Sequence, residues 1–286
     1  MKYYRDFSDF LAVHFDGKMQ KLSVDAGFTC PNRDGTVGRG GCTYCNNVSF
    51  SPGYCRDRKG VTAQLEEGKR FFGRKYPSMR YLAYFQSYTS THGSDIDRLM
   101  SLYEEACGVE GVDGVIIGTR PDCMPDRLLA RLSRLPWVMV EYGAESACDE
   151  TLARVNRCHT WADTADAVRR THDAGLPVGL HLINGLPGED EERILATVDE
   201  VNRLPVDVVK FHQLQLIRGT RMALDVEQGV YDIHRFTPRE LCGPVCPARQ
   251  ASAPRHSRRA VCIAVAPRPA HISALGPQKL PVHTAC

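Results

Sequence analysis

Short apolar runs alternate with longer amphipathic stretches along most of this 286-residue chain. The apolar runs are typical of strands, and they lie at residues 21–26, 81–86, 114–118, 137–142, 177–183 and 206–212. Amphipathic segments with the period of a helix follow them. Strands that alternate with helices predict βα units and a parallel sheet. A complete barrel has eight such units, so the six found here predict an α/β fold, an incomplete (β/α)6 TIM-like barrel with parallel strands.

Composition and charge exclude several classes of protein. The chain has 36 basic and 34 acidic residues, a net charge of +2, so bulk charge gives no argument for nucleic-acid binding. No apolar run approaches the roughly 18 residues of a membrane span, and residues 1–6 lack the apolar stretch of a signal peptide. We therefore expect a cytoplasmic, enzyme-sized protein without a membrane partner.

The end of the chain differs from the rest. From Cys242 to Cys286 there are 45 residues with no Asp, Glu, Phe, Trp or Tyr, but with six basic residues and seven of the 17 prolines. Such a segment buries too little apolar surface to offset its chain entropy. The sequence therefore predicts a core at 1–240 and an irregular tail at 241–286. The tail is open to three interpretations: a disordered segment, an out-of-frame reading of GC-rich coding sequence, or a basic arm for RNA.

Three cysteines follow the first predicted strand in the spacing Cys-x11-Cys-x2-Cys, at Cys30, Cys42 and Cys45. Disulfides are rare in a reducing compartment, so metal binding or catalysis is the expected use of such a cluster. Thiolates among glycines favour a soft metal or an iron–sulfur centre. The alternative is a zinc site with His14 or Cys55 as its fourth ligand. Spacing alone does not separate the two.

The segment around these cysteines, SVDAGFTCPNRDGTVGRGGCTYC at 23–45, resembles the first motif of radical SAM proteins. Within that superfamily it is similar to the Elongator-catalytic-subunit-like branch and to the bacterial YhcC-like family. Further similar stretches are GTRPDCMPD at 118–126, VEYGAESACDETLARVNRCHT at 140–160, HLINGLPGED at 181–190 and VKFHQLQLIRGT at 209–220. The resemblance fades after about residue 240, and nothing in the chain resembles the branch's acetyltransferase domain, so acetyl transfer is not implied.

The resemblance implies a defined chemistry. Cys30, Cys42 and Cys45 would hold three irons of a [4Fe-4S] cluster, and S-adenosyl-L-methionine (SAM) would chelate the fourth. Reduction by an electron donor such as flavodoxin or ferredoxin would cleave SAM to methionine and a 5′-deoxyadenosyl radical. The branch implies tRNA as a partner and a wobble-uridine modification as the reaction. The alternatives are a porphyrin-like small-molecule substrate or a non-catalytic zinc-binding module.

The resemblance also implies which side chains surround SAM, although it assigns no catalytic acid or base. The expected cofactor-binding residues lie near strand ends: Tyr44, Gln86, Arg120, Asp122, Glu145, Ser146 and Gly185. Tyr44 and Gly185 would lie near the adenine, and Glu145 and Ser146 near the ribose. Gln86 stands where many relatives have a Gly-Gly-Glu motif that meets the methionine amino group. Arg120 and Asp122 either pair with each other or contact the SAM carboxylate.

Overall fold

Seven parallel strands form one sheet in which each strand pairs with the next along the chain. The structure, a computed structural model, describes residues 5–47, 51–55, 59–74 and 78–233, together with the backbone of 260–264. The strands are β1 (Met19–Val24), β2 (Arg80–Phe85), β3 (Val112–Thr119), β4 (Val138–Glu145), β5 (Val178–Asn184), β6 (Val208–Gln213) and β7 (Ala260–Ala264). The sheet curls into a half-barrel, which confirms the predicted fold class.

Helices connect the strands, as parallel pairing requires. They are α1 (Phe7–His14), α2 (Pro31–Asp34), α3 (Val61–Gly73), α4 (Ile96–Cys107), α5 (Asp126–Leu132), α6 (Asp149–Arg154), α7 (Trp161–Asp173), α8 (Glu191–Asn202) and α9 (Arg221–Glu227). Within the described residues, no helix is both long and apolar enough to cross a membrane.

Apolar side chains cover both faces of the sheet, because successive residues of a strand point to opposite sides. On the outer face, Val115 and Ile117 of β3 belong to the large core that also contains Leu99 of α4. On the inner face, Ile116 of β3 packs in a smaller core with Phe10 of α1. Helix α1 therefore closes the half-barrel at the end where the strands begin, and the carboxyl ends of the strands are left for the site.

The seventh strand corrects one expectation. Residues 260–264 lie in the tail that composition predicts to be irregular, yet they pair in parallel with β6. The expectation is wrong for these five residues. Their sequence, Ala-Val-Cys-Ile-Ala, is a short apolar run with β-branched residues, which suits a strand that satisfies the backbone groups at the edge of β6. The division of the chain at residue 240 stays a prediction, since residues 234–259 and 265–286 lie outside the described ones.

Candidate active site

The loop that follows β1 brings the three predicted cluster cysteines together at the carboxyl edge of the sheet. Cys30 precedes α2, and its carbonyl accepts hydrogen bonds from the amides of Arg33 at 2.8 Å and Asp34 at 3.0 Å. Cys42 and Cys45 share a tight turn in which the Cys45 amide donates to the Cys42 carbonyl at 3.0 Å. Burial raises the pKa of the Cys45 thiol, and the neighbouring Cys42 and Cys30 raise it further.

Two buried or half-buried asparagines hold the loop in place. Asn156, which follows α6, donates through Nδ2 to the carbonyl of Gly41 at 2.8 Å. Asn32 is fully buried, and its Nδ2 donates to the Asn156 carbonyl at 2.5 Å. The amide of Thr43 donates to the carbonyl of Val155 at 3.0 Å. The segment after α6 therefore fixes the position of the cysteine loop.

Arg157 places a positive charge inside the site. Its side chain is 9% exposed, and Nη1 donates to the sulfur of Cys42 at 3.5 Å. Nη2 donates to the carbonyl of Gly143 at 2.5 Å and lies 3.4 Å from Oε1 of Glu145. A guanidinium donates strong, charge-assisted hydrogen bonds to an anionic acceptor. Arg157 is therefore suited to stabilise a thiolate at Cys42.

Arg157 and Asn32 were not among the predicted site residues. Both lie inside the motifs at 140–160 and 23–45, but polar residues in loops normally face solvent, so their burial is not expected from the residue types. The signal that could have pointed to Arg157 is its place in the Asn-Arg-Cys-His stretch of the longer motif.

A cavity of about 520 Å³ adjoins the cysteine loop. Cys42 and Cys45 line it together with the guanidinium-bearing residues Arg33, Arg154 and Arg221. Positive side chains around thiols suit a site that carries negative charge, as a thiolate-ligated iron–sulfur cluster does.

The donor set fits a cluster better than a single zinc ion. His14 packs against the rings of Phe10 and Trp137 at 4.7 and 5.7 Å, at the edge where the strands begin and away from the cysteine loop. The Cys55 thiol contacts the carbonyl of Ser23 at 3.2 Å, and burial raises its pKa to about 12. Neither residue therefore stands with the three cysteines as the fourth ligand of a zinc site. In a [4Fe-4S] cluster, three cysteines would bind three of the four irons, and the fourth iron would have no protein ligand.

Tyr44 and Glu145 lie beside the cysteines, as expected of cofactor contacts. Burial raises the pKa of Tyr44, and Cys42 and Glu145 raise it further. The buried Tyr44 hydroxyl and Arg157 Nε have no hydrogen-bond partner among the described residues. Glu145 ends β4 with φ 69°, in the left-handed region, at a cost of roughly 1–2 kcal/mol for a residue with a side chain. This backbone conformation turns its carboxylate toward Arg157.

Arg120 and Asp122 form an ion pair, which is the first of the two alternatives. The guanidinium donates through Nε and Nη2 to the two carboxylate oxygens at 2.9 and 2.7 Å. Its Nη1 donates to the carbonyl of Arg157 at 2.8 Å. With Arg120 only 2% exposed, this pair supports the segment that carries Arg157.

Three further predicted residues, Gln86, Ser146 and Gly185, lie at strand ends. They differ in their hydrogen bonds and backbone conformation. Gln86 Nε2 donates to the hydroxyl of Ser23 at 2.8 Å. Ser146 is fully buried, and its hydroxyl donates to the carboxylate of Glu189. Gly185 has φ 88°, a conformation that side chains rarely adopt. The assignment of all these residues to SAM binding stays a prediction.

Comparisons with known proteins agree with the motifs. The family model of the radical SAM superfamily matches residues 32–201. The protein YhcC of Escherichia coli is 39% identical over 227 residues, covering 78% of this chain and 72% of that relative. The tRNA uridine(34) acetyltransferase of Methanocaldococcus jannaschii is 32% identical over 122 residues, covering 42% of this chain and 23% of that enzyme.

The solved structure of the archaeal Methanocaldococcus infernus Elp3 with an N-terminal deletion has a similar fold. The TM-score is 0.58 at 18% identity, and the match covers 87% of this chain. The chain spans 56% of that solved chain, a little more than half of its length. The likeness shows the half-barrel fold.

Proposed function

Because this chain belongs to the radical SAM superfamily and is an enzyme of that class, we propose that Cys30, Cys42 and Cys45 hold its [4Fe-4S] cluster. The observation that carries this assignment is the convergence of the three thiols at one loop, with the Arg157 guanidinium 3.5 Å from the sulfur of Cys42. A reduced cluster with SAM bound would supply the 5′-deoxyadenosyl radical, the hydrogen-abstracting species of the superfamily.

The residues of the chain would prepare this chemistry in separate ways. Arg157 offsets the negative charge of the thiolates, and Tyr44 covers them from the side of a small apolar cluster that includes Leu186 and Met222. Glu145 offers a carboxylate to hydroxyl donors of a ligand. Gly185 directly follows β5, and because it has no side chain it leaves the backbone accessible to a ligand there. Together, these residues would bind SAM and keep water from the radical.

The substrate we propose is a tRNA wobble uridine. The support is the 122-residue likeness to a tRNA uridine(34) acetyltransferase. That likeness covers 23% of the acetyltransferase, so we carry over the nucleoside and not the acetyl transfer. The electron donor we propose is a flavodoxin or ferredoxin. A porphyrin-like small molecule is the competing substrate.

The cofactor assignment is tested by SAM cleavage. The chain is reconstituted anaerobically with iron and sulfide, reduced with dithionite or reduced flavodoxin, and analysed for 5′-deoxyadenosine by chromatography. We expect product from the wild type and none from Cys42→Ala. Cys107→Ala is the matched control, because Cys107 lies at the end of α4, where burial raises its pKa to about 11. A variant lacking all three cysteines that still binds a full complement of iron would overturn the assignment.

The substrate is tested by comparing the nucleosides of tRNA from a deletion strain and its parent. The expected result is one modified uridine that is absent from the deletion strain and restored by the wild-type gene but not by Cys42→Ala. Unchanged tRNA with an altered porphyrin pool would favour the small-molecule alternative.

A further inference from the structure

A line of hydrogen-bonded polar side chains crosses the inner face of the half-barrel, outside the site described above. Lys21 of β1 lies 2.5 Å from Oε1 of Glu141 on β4. The other carboxylate oxygen of Glu141 is 2.9 Å from Nε2 of His181 on β5. Nδ1 of His181 is 3.2 Å from Nε2 of His212 on β6. Three hydrogen bonds therefore join four strands.

The line lies between the apolar base of the half-barrel and its open edge. Met139, two residues before Glu141 on the same face, packs in the inner core with Phe10 of α1. His212 pairs in register with Ile183 and is the last residue but one of β6. Because the strands are parallel, His212 is at the same edge as the cysteine loop. It is the end of the line nearest the place where a substrate would meet the radical.

Charge fixes the first hydrogen bond. Burial opposes ionisation of Glu141, but Lys21, His181 and Lys210 outweigh burial and hold the pKa of this carboxyl well below its ordinary value. An ionised carboxylate accepts hydrogen bonds and cannot donate them. The proton between the two groups therefore belongs to Nε2 of His181.

The remaining hydrogen bonds follow from the first. Burial and the charge of Lys210 lower the pKa of His181, so its ring is neutral and Nδ1, without a proton, is an acceptor. His212 must then donate through Nε2. Burial, Lys210 and His181 hold the pKa of His212 well below its ordinary value, so this ring is neutral as well. Its Nδ1 carries a lone pair that no hydrogen bond from the described residues occupies.

We propose that Glu141, His181 and His212 form a proton relay whose basic end, Nδ1 of His212, exchanges a proton with the substrate. A substrate N–H or O–H group gives its proton to Nδ1 and keeps the electron pair of the broken bond. The Nε2 proton of His212 passes to Nδ1 of His181, which keeps its Nε2 proton and becomes an imidazolium. The positive charge thus ends on His181, hydrogen-bonded to the Glu141 carboxylate. His212 is the catalytic residue, and His181 and Glu141 position it.

The surroundings indicate the chemical class of the substrate group. The ionisable groups that face the relay from neighbouring strands are Lys21, Tyr84, Glu145 and Lys210. Lys210 adds positive charge beside the ion pair of Lys21 with Glu141 and favours an anion on the inner face. The matching group is therefore a weak N–H or O–H acid whose conjugate base is negative. This role rests on the proposed radical chemistry for the reaction that it serves, but the hydrogen-bond order of the relay does not depend on it.

Nitrogen-15 NMR of the full chain labelled at histidine tests the hydrogen-bond order without SAM or turnover. We expect His181 and His212 to be neutral near pH 7, each with its proton on Nε2. Glu141→Gln should release His212 from a single tautomer, because a carboxamide can donate as well as accept. Glu145→Gln is the control, since Glu145 acts on His181 through charge without a hydrogen bond. A proton on Nδ1 of His212 in the wild type, or equal effects of the two variants, would overturn the relay.

Chemical modification tests whether Nδ1 of His212 is a reachable base. Diethyl pyrocarbonate acylates unprotonated imidazole nitrogens, and mass mapping of peptides locates the product. The wild type should be modified at His212 and protected at His181, whose two nitrogens are both engaged. His172, which is exposed on α7, is the internal reference. An unreactive His212 beside a modified His172 would contradict the proposal. Neither the NMR nor the modification experiment needs the cluster. The relay can therefore be contradicted while SAM cleavage is observed, and the relay can be supported while SAM cleavage is absent.

Discussion

Arg157 Nη1 lies 3.5 Å from the sulfur of Cys42, across 115 positions of sequence. The same guanidinium contacts the carbonyl of Gly143 and the carboxylate of Glu145. One buried side chain thus joins the cysteine loop to the end of β4. Its loss would affect both the folded state and the site.

Arg157→Met is expected to destabilise the protein by about 3–5 kcal/mol, the cost of leaving a buried partner charge without its counterpart. Without the guanidinium, the Glu145 carboxylate and the Gly143 carbonyl would lose their partner, and Cys42 would lose the positive charge beside its sulfur. The measurement is denaturant unfolding of the cluster-free chain, with iron content after reconstitution as a second readout. Arg203→Met is the control. Its side chain is 71% exposed and pairs with Glu200 three residues before it, an arrangement worth less than about 1 kcal/mol. Equal losses in the two variants would contradict the role given to Arg157.

Gly38→Ala is expected to disturb the cysteine loop from within. A Cβ atom at this position would lie 2.3 Å from Oδ1 of Asn32 and 3.0 Å from the sulfur of Cys158. Asn32 would have to move, and with it the hydrogen bond to Asn156 that fixes the loop. Overpacking of this kind costs about 1–3 kcal/mol. Cluster content after reconstitution and the unfolding midpoint measure the effect.

The control for this substitution is Gly53→Ala, because no atom of the described residues lies within 4 Å of a Cβ at Gly53 and its φ is not in the left-handed region. Gly53→Ala should leave both readouts unchanged. If Gly38→Ala also retained full cluster content and stability, Asn32 would not hold the loop as described.

The sequence predicts the strands well and the contacts between distant segments poorly. Buried parallel strands are short apolar runs, so the positions of such runs along the sequence predict the six strands from β1 to β6. Helix α1 was not predicted, since an eight-residue helix gives a weak periodic signal, even though Asp6 and Asp9 form a capping box at its start. Strand β7 was missed because its neighbours in sequence are rich in proline and poor in aromatics, whereas its stability comes from pairing with β6.

The site shows the same division. The cysteine spacing identifies the loop, because ligands of one centre are close in sequence. The contacts of Arg157 with Cys42 and of Glu141 with His181 join residues that are 115 and 40 positions apart. No local pattern encodes such pairs, since they arise only when the strands are placed side by side.

Stability is expected to fall as the pH drops below about 6.5. Burial, with Arg157 and Arg120, lowers the pKa of His159 to about 3. A histidine whose pKa is lower in the folded state contributes stability that is fully present above its unfolded value and is lost as the pH falls toward the folded value. His181 and His212 act in the same direction. The measurement is the free energy of unfolding between neutral pH and about pH 4.

His159→Gln should flatten this pH dependence, because the unfolded state would then bind one proton fewer. His172→Gln is the control, since His172 is exposed on α7. A slope that does not change in His159→Gln would show that this ring does not titrate with unfolding.

Glu145→Gln is expected to weaken SAM binding to the reconstituted protein by about 1–3 kcal/mol, the range for a lost hydrogen bond to a charged group. The side chain is 12% exposed and sits at the end of β4, where a left-handed backbone turns it toward Arg157 and the cysteines. The substitution keeps the shape and removes the charge, so cluster content should be retained. Equilibrium binding of SAM to the oxidised, cluster-loaded protein gives the affinity without turnover. Glu150→Gln is the control, because Glu150 is 60% exposed and pairs with Arg154 and Arg193 on the surface. If both variants bind SAM as tightly as the wild type, the carboxylate serves Arg157 alone and the ribose contact must come from another strand end.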